Sequence, residues 1–156
     1  MSKSLARVRA ALEAAGTEAE IRETDDRART AAGAAEVVGC HVDQIAKSII
    51  FRGEESGHVV LFLTAGGNLV DAGKAAQVAG QPLGKADAAQ IRLETGFAIG
   101  GVAPLGHLRP IDAYIDPRLT QFDRVWAAAG TPRHLFSIAP QELIRITGAQ
   151  LAEFTA

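Results

Sequence analysis

Residues 45–64 read Ile45-Ala46-Lys47-Ser48-Ile49-Ile50-Phe51-Arg52, then Gly53-Glu54-Glu55-Ser56-Gly57, then His58-Val59-Val60-Leu61-Phe62-Leu63-Thr64. Two apolar, β-branched runs flank a polar turn, and the pattern predicts a β-hairpin. Both runs are apolar almost throughout, so both faces of the strands are expected to be covered. Lys47 is the exception. Lysines are rarely buried, so the residues alone favour a side chain that snorkels out at the strand's end over one that points into a pocket.

Upstream, Leu5, Val8 and Leu12 recur at helical spacing and predict a helix over 4–15, capped by Ser4 and closed by Gly16. Residues 18–23 alternate around Ala19 and Ile21 and read as a short edge strand. Thr30 is a good N-cap for a helix over 31–38 that ends at Gly39. Gly33 inside that helix costs up to about 1 kcal/mol against alanine, either for close packing or for no reason. Cys40-His41 resembles a thiol–imidazole pair, but neighbours in sequence do not face each other on a helix or strand. Cys40 is expected to be a small core residue.

Downstream, Asp71 caps a helix through Val78 closed by Gly80, residues 81–84 read as a loop, and Asp87 starts a helix to Leu93. Strands are expected over 111–115, 124–129 and 134–138, with Trp126 in the core. Pro140 leads a helix over 141–147 that Gly148 ends, and the tail adds core contacts. No repeat or linker interrupts the chain. Strands mixed with scattered helices predict one α+β, or mixed α/β, domain over residues 1–156.

A second stretch, Gly96-Phe97-Ala98-Ile99-Gly100-Gly101-Val102-Ala103-Pro104-Leu105-Gly106, has too much glycine and proline for a helix or a regular strand. Its apolar residues set it apart from a solvated linker. It predicts an irregular loop inside the domain. Such a loop serves turn geometry, or it offers bare amide donors to an oxyanion or carbonyl oxygen. The glycines alone favour geometry.

The chain has 156 residues, 47% hydrophobic and 22% charged, with a net charge of −2. It can bury a real core. Mild acidity argues against nonspecific binding along a DNA or RNA backbone, which needs a basic stripe, yet leaves room for gripping one end of an RNA. Cys40 is the single cysteine, so neither a disulfide framework nor a cysteine-held zinc is expected. His41, His58, His107 and His134 lack metal spacing, and no phosphate loop, dinucleotide fingerprint or serine elbow is present. No metal or cofactor is expected. The N-terminus lacks a signal core and no run reaches membrane-spanning length, so no membrane association and a cytoplasmic location are expected.

Three segments in order resemble the YbaK/ProX family, editing-domain-like aminoacyl-tRNA deacylases that act on mischarged proline tRNA. They are the Thr-headed, alanine-rich 30–39, the lysine-bearing run 45–51, and Gly100-Gly101-Val102-Ala103-Pro104-Leu105-Gly106, which is similar to the family's Gly-x-x-x-Pro loop. The resemblance implies a mostly antiparallel sheet curled around a pocket and flanked by helices. It implies that Lys47 faces this pocket, against the reading of the residues alone. Hydrolysis of the ester joining a wrong small amino acid (alanine, serine, threonine, cysteine or 2-aminobutyrate) to a tRNA acceptor end follows. Lys47 and the amides of Gly100 and Gly101 are then the catalytic groups. Thr30, Ser48, Val102, Pro104 and His134 are then substrate-binding. Some relatives act free and others rely on prolyl-tRNA synthetase to select the tRNA. Gly33 departs from the family, where relatives often carry a larger residue. A catalytically silent tRNA or synthetase binding module, and a small-molecule binder, are the competing readings.

Overall fold

The computed structural model describes residues 2–156. In chain order the elements are α1 (Lys3–Ala14), β1 (Glu20–Glu23), α2 (Ala31–Val38), β2 (Ile45–Gly53), β3 (Val59–Ala65), α3 (Ala72–Ala79), β4 (Leu83–Lys85), α4 (Ala88–Thr95), β5 (Asp112–Ile115), β6 (Val125–Ala128), β7 (His134–Ile138), α5 (Pro140–Thr147) and β8 (Gln150–Leu151). The helices start and stop where capping chemistry requires. Thr30, Asp71 and Asp87 each accept a backbone N–H in the first turn, and Gly39, Gly80, Gly96 and Gly148 close helices in the left-handed conformation. In α1 the cap is Ser2, whose hydroxyl accepts from the Leu5 N–H, and not Ser4 as the sequence suggested.

One mixed sheet of eight strands runs β1-β7-β6-β2-β3-β5-β8, with β4 also on β2. Pairs β1–β7, β6–β7, β2–β3 and β2–β4 are antiparallel; β2–β6, β3–β5 and β5–β8 are parallel. Two strands were not anticipated. Residues 81–84 read as a loop because they hold a proline, a glycine and no β-branched residue, yet Leu83–Lys85 pairs with Phe51–Gly53. The two-residue β8 is too short to leave a pattern.

Strand β3 is buried throughout, as its unbroken apolar character predicts, whereas β2 is only half-buried from Lys47 to Phe51 and exposed at Arg52. Ala46, Leu61, Leu63 and Ala65 pack into the main core with Leu5, Val8 and Leu12 of α1, Phe97 and Phe136. The opposite face carries Ile49, Phe51, Val60 and Phe62 against Ala75 and Phe154. Beside it, Ile45, Trp126 and Leu135 pack under Ala34 and Ala35 of α2.

Candidate active site

The site follows from how one strand is shared. Along one edge of β2, β6 pairs with Ile45 and Ala46, whereas β4 pairs with Phe51, Arg52 and Gly53. Neither reaches residues 47–50. A cavity of about 460 Å³ opens there, within the range of small-ligand sites. Ile45, Ala46, Lys47, Ser48, Ile49 and Ile50 all line it. Successive strand residues point to opposite faces, so a cavity resting on one face touches only alternate residues. Contact with a consecutive run means that the cavity meets β2 edge-on and straddles the sheet.

Its bank on the α2 side holds Thr30, Ala31 and Ala34. The Lys47 Nζ donates to the Asn68 carbonyl at 2.6 Å. The turn that presents this carbonyl is fixed by two carboxylates. Asp116 accepts from the Ala65 N–H and the Asn68 side-chain amide, and Asp43 accepts from the Gly67 N–H and from Arg118. Burial pushes the Lys47 pKa below the ordinary lysine value, against the opposing pull of Asp116 and Asp43. The lysine is therefore half-buried and held in one direction, not free in solvent.

The other bank is the glycine loop, through Ile99, Gly100 and Val102. Ser48 stitches it to β2, its hydroxyl donating to the Val102 carbonyl at 2.9 Å. Gly100 is exposed with φ 93°, a backbone that L residues rarely adopt. Gly101 differs. Its N–H donates to the Ala98 carbonyl, and a Cβ there would lie 2.8 Å from the Thr131 backbone. Gly101 lets the loop press on the β6–β7 turn, and its amide is not open to a ligand.

Of the residues singled out in the sequence, the cavity gathers Lys47, Gly100, Thr30, Ser48 and Val102. Thr30 Oγ1 is engaged as the cap of α2, accepting from the Gly33 N–H. Three residues do not line it. Gly101 is buried just behind the wall. Pro104 is buried and lines a separate groove with Leu105–Ile111, Ile146 and Thr147. His134 begins β7, its Nδ1 hydrogen-bonded to the Thr131 hydroxyl at 2.7 Å. The cavity also takes Arg29 and Lys85, both exposed, and Ala86 and Ala128, which the sequence reading passed over. Gly33 is off the wall. A Cβ there would collide with the Arg27 carbonyl, so glycine serves close packing and leaves the cavity wall to Ala31 and Ala34. Cys40 and His41 form no dyad, because the Cys40 thiol points to the His41 carbonyl. No group of side chains suited to a metal occurs among the described residues.

Residues 25–146 match the aminoacyl-tRNA editing domain. The chain belongs to that family. It is 32% identical over 126 residues to YwhH of Bacillus subtilis, a protein without assigned function, covering 81% of this chain and 80% of that one. It is 25% identical over 127 residues to EbsC of Enterococcus faecalis, named as a candidate Cys-tRNA(Pro)/Cys-tRNA(Cys) deacylase, covering 81% and 77%. The crystal structure of a candidate trans-editing enzyme for prolyl-tRNA synthetase superposes with a TM-score of 0.93 at 46% identity, covering 100% of this chain and 99% of that one. The mixed sheet with five helices is the editing-domain fold, and the protein is an aminoacyl-tRNA deacylase, a hydrolase of ester bonds.

Proposed function

We propose that the protein removes a mischarged small amino acid from tRNA(Pro) in trans, with residues 1–156 working as one editing unit. The observation that carries this reading is the cavity wall: Ala31, Ala34, Ala46, Ala86 and Ala128 surround an opening also lined by Lys47 and Gly100. Such a wall suits alanine, serine, threonine, cysteine or 2-aminobutyrate. The proline-tRNA terms in the descriptions of EbsC and of the trans-editing enzyme support the choice of tRNA.

An aminoacyl ester is already activated, so catalysis needs positioning and charge stabilisation more than a strong nucleophile. The Gly100 N–H faces the developing oxyanion. Lys47, with one N–H held by Asn68, keeps two for the terminal ribose, a phosphate or the ester carbonyl. Ser48 is not the nucleophile, because its hydroxyl proton is committed to Val102. No carboxylate, histidine or cysteine lines the cavity among the described residues. The attacking water therefore gives its proton to a group of the substrate, such as the neighbouring ribose hydroxyl. Selection by size is limited to about 1–3 kcal/mol per methylene, so adjacent small amino acids overlap as substrates.

The test is a panel of tRNA(Pro) charged with alanine, serine, threonine, cysteine, 2-aminobutyrate and proline, with and without prolyl-tRNA synthetase. Loss of one or more small acyl groups with prolyl-tRNA spared is expected. Hydrolysis of prolyl-tRNA at an equal rate, or of none, overturns the reading. A gain only with the synthetase present identifies it as the partner that selects the tRNA.

A further inference from the structure

The gap in the β2 ladder leaves main-chain groups facing the cavity. The Asp116 N–H donates to the Leu63 carbonyl and the Ala65 N–H donates to the Asp116 carboxylate, so both β3 residues turn their main-chain groups away from β2. Leu63 pairs with Ser48 and Ala65 with Ala46. In an antiparallel ladder, residues opposite each other that exchange no bonds both face outward. Ala46 and Ser48 therefore face the other edge, and Ile50, two residues on, does the same. Ala46 meets β6 and Arg52 meets β4. The N–H and C=O of Ser48 and the N–H of Ile50 fall between the two ladders. No turn or side-chain hydrogen bond takes them up among the described residues. They line the cavity that also holds Lys47 and Gly100.

Buried or half-buried main-chain groups are nearly always paired, and a strand edge pairs with another extended main chain. The opening is a few residues long, bounded by β4 and β6. It has room for one residue and not for a peptide. An α-aminoacyl group carries what a single strand residue carries, a nitrogen donor and a carbonyl acceptor across one Cα. We propose that Ser48 docks the aminoacyl residue as a one-residue strand. The α-amine donates to the Ser48 carbonyl, and the ester carbonyl accepts from the Ser48 N–H. Residues opposite each other in such a pair project to the same face, so an L side chain lies on the Ser48 face beside Val102 and Ala86, away from Lys47. The Ser48 side chain is then a positioning group for the glycine loop, and its main chain is the substrate contact. The enzyme reads that the acyl group is an α-amino acid here, and reads its size at the alanine wall. This inference rests on the deacylase reading above.

The experiment uses the full chain, ¹⁵N-labelled, with two stable amide analogues of the acyl ester: 3′-(L-alanylamino)-3′-deoxyadenosine and its propionyl counterpart lacking the α-amine. With the alanyl compound the Ser48 amide resonance is expected to move downfield, among the largest shifts in the spectrum. The propionyl compound is expected to bind at least tenfold more weakly. A chain in which position 48 joins through an ester instead of an amide, removing that N–H while keeping every side chain, is expected to lose at least tenfold in kcat/KM on alanyl-tRNA. Equal affinity for the two compounds, or an unmoved Ser48 amide while Ala31 and Val102 respond, overturns the docking mode. Absence of binding by either compound at millimolar concentration overturns it as well. Hydrolysis of mischarged tRNA with a silent Ser48 amide would sink this inference and leave the deacylase reading standing. A moving amide with no acyl-tRNA hydrolysed would do the reverse.

Discussion

The two banks of the cavity are built on opposite plans. On the α2 side polar groups are tied down: Lys47 to the Asn68 carbonyl, Asn68 to Asp116, Gly67 to Asp43, and Thr30 to its own helix. On the glycine-loop side the ends are anchored from outside the cavity, where Arg7 donates to the Gly96 and Gly106 carbonyls, the Ser48 hydroxyl alone ties the loop to β2 through Val102, and Gly100 presents bare backbone. A fixed cation opposite an unencumbered amide is a reasonable division of labour for ester hydrolysis. In the proposed reaction one bank orients, and the other accepts charge that exists only in the transition state.

The comparison breaks first at Lys47. Lys47→Ala is expected to cut deacylation by about 100-fold, the scale of losing one transition-state donor. Its melting temperature should stay close to the parent's, because relief of the half-buried charge offsets the hydrogen bond that the Asn68 carbonyl loses. Near-parental turnover, followed by acyl-tRNA decay, would reduce the tied bank to scaffolding. Next come the paired glycines. Gly101→Ala should cost about 1–3 kcal/mol in chemical denaturation, since its Cβ meets Thr131 backbone at 2.8 Å. Gly100→Ala meets only Pro132 Cγ at 3.9 Å and pays about 1–2 kcal/mol for its positive φ. Activity should fall further for Gly100→Ala than for Gly101→Ala at matched stability. The reverse order would move the open amide elsewhere.

The support beneath the bare bank is tested with acid. Burial of Glu94 pulls its pKa up. Hydrogen bonds from Gln90, the Val59 N–H and Arg109, with the charge of His58, outweigh this and hold it below the ordinary value. A carboxylate depressed in the folded state contributes stability that is fully present above its unfolded pKa of about 4.3 and is lost as pH falls through the folded value. Glu94→Gln should therefore lose about 1–2 kcal/mol at neutral pH and show a flatter acid limb in a melting-temperature series. The smallest effect is expected for Ser48→Ala, about 1 kcal/mol for the lost hydrogen bond. A several-fold fall in kcat with KM little changed would show that the stitch positions the loop.

Much of this was legible beforehand, for identifiable reasons. The 45–64 hairpin carries its period and its turn in the residues themselves, and Thr30, Asp71 and Asp87 announce helix starts through chemistry confined to three or four neighbours. Strand β4 was not legible, because a leucine, a glycine and a lysine become a strand only when Phe51–Gly53 supplies the partner. The glycines at 100 and 101 looked alike in sequence. Only Thr131, thirty residues on, separates the one that opens to the cavity from the one that packs. The residue type of Lys47 alone points to solvent, and only the family resemblance, not composition, points it toward the cavity it lines. The opening between β4 and β6 has no sequence signature, since it is a property of where two remote strands stop.

That opening also bears on solubility. An unpaired strand margin normally invites a second molecule to add its own strand and start a fibril. Here the vacancy lies in the middle of the margin, with β4 and β6 as shoulders on either side. A foreign chain would have to displace one of them before it found enough consecutive partners to hold. At this margin the molecule thus exposes backbone to a small guest while offering a second chain too few consecutive partners to hold.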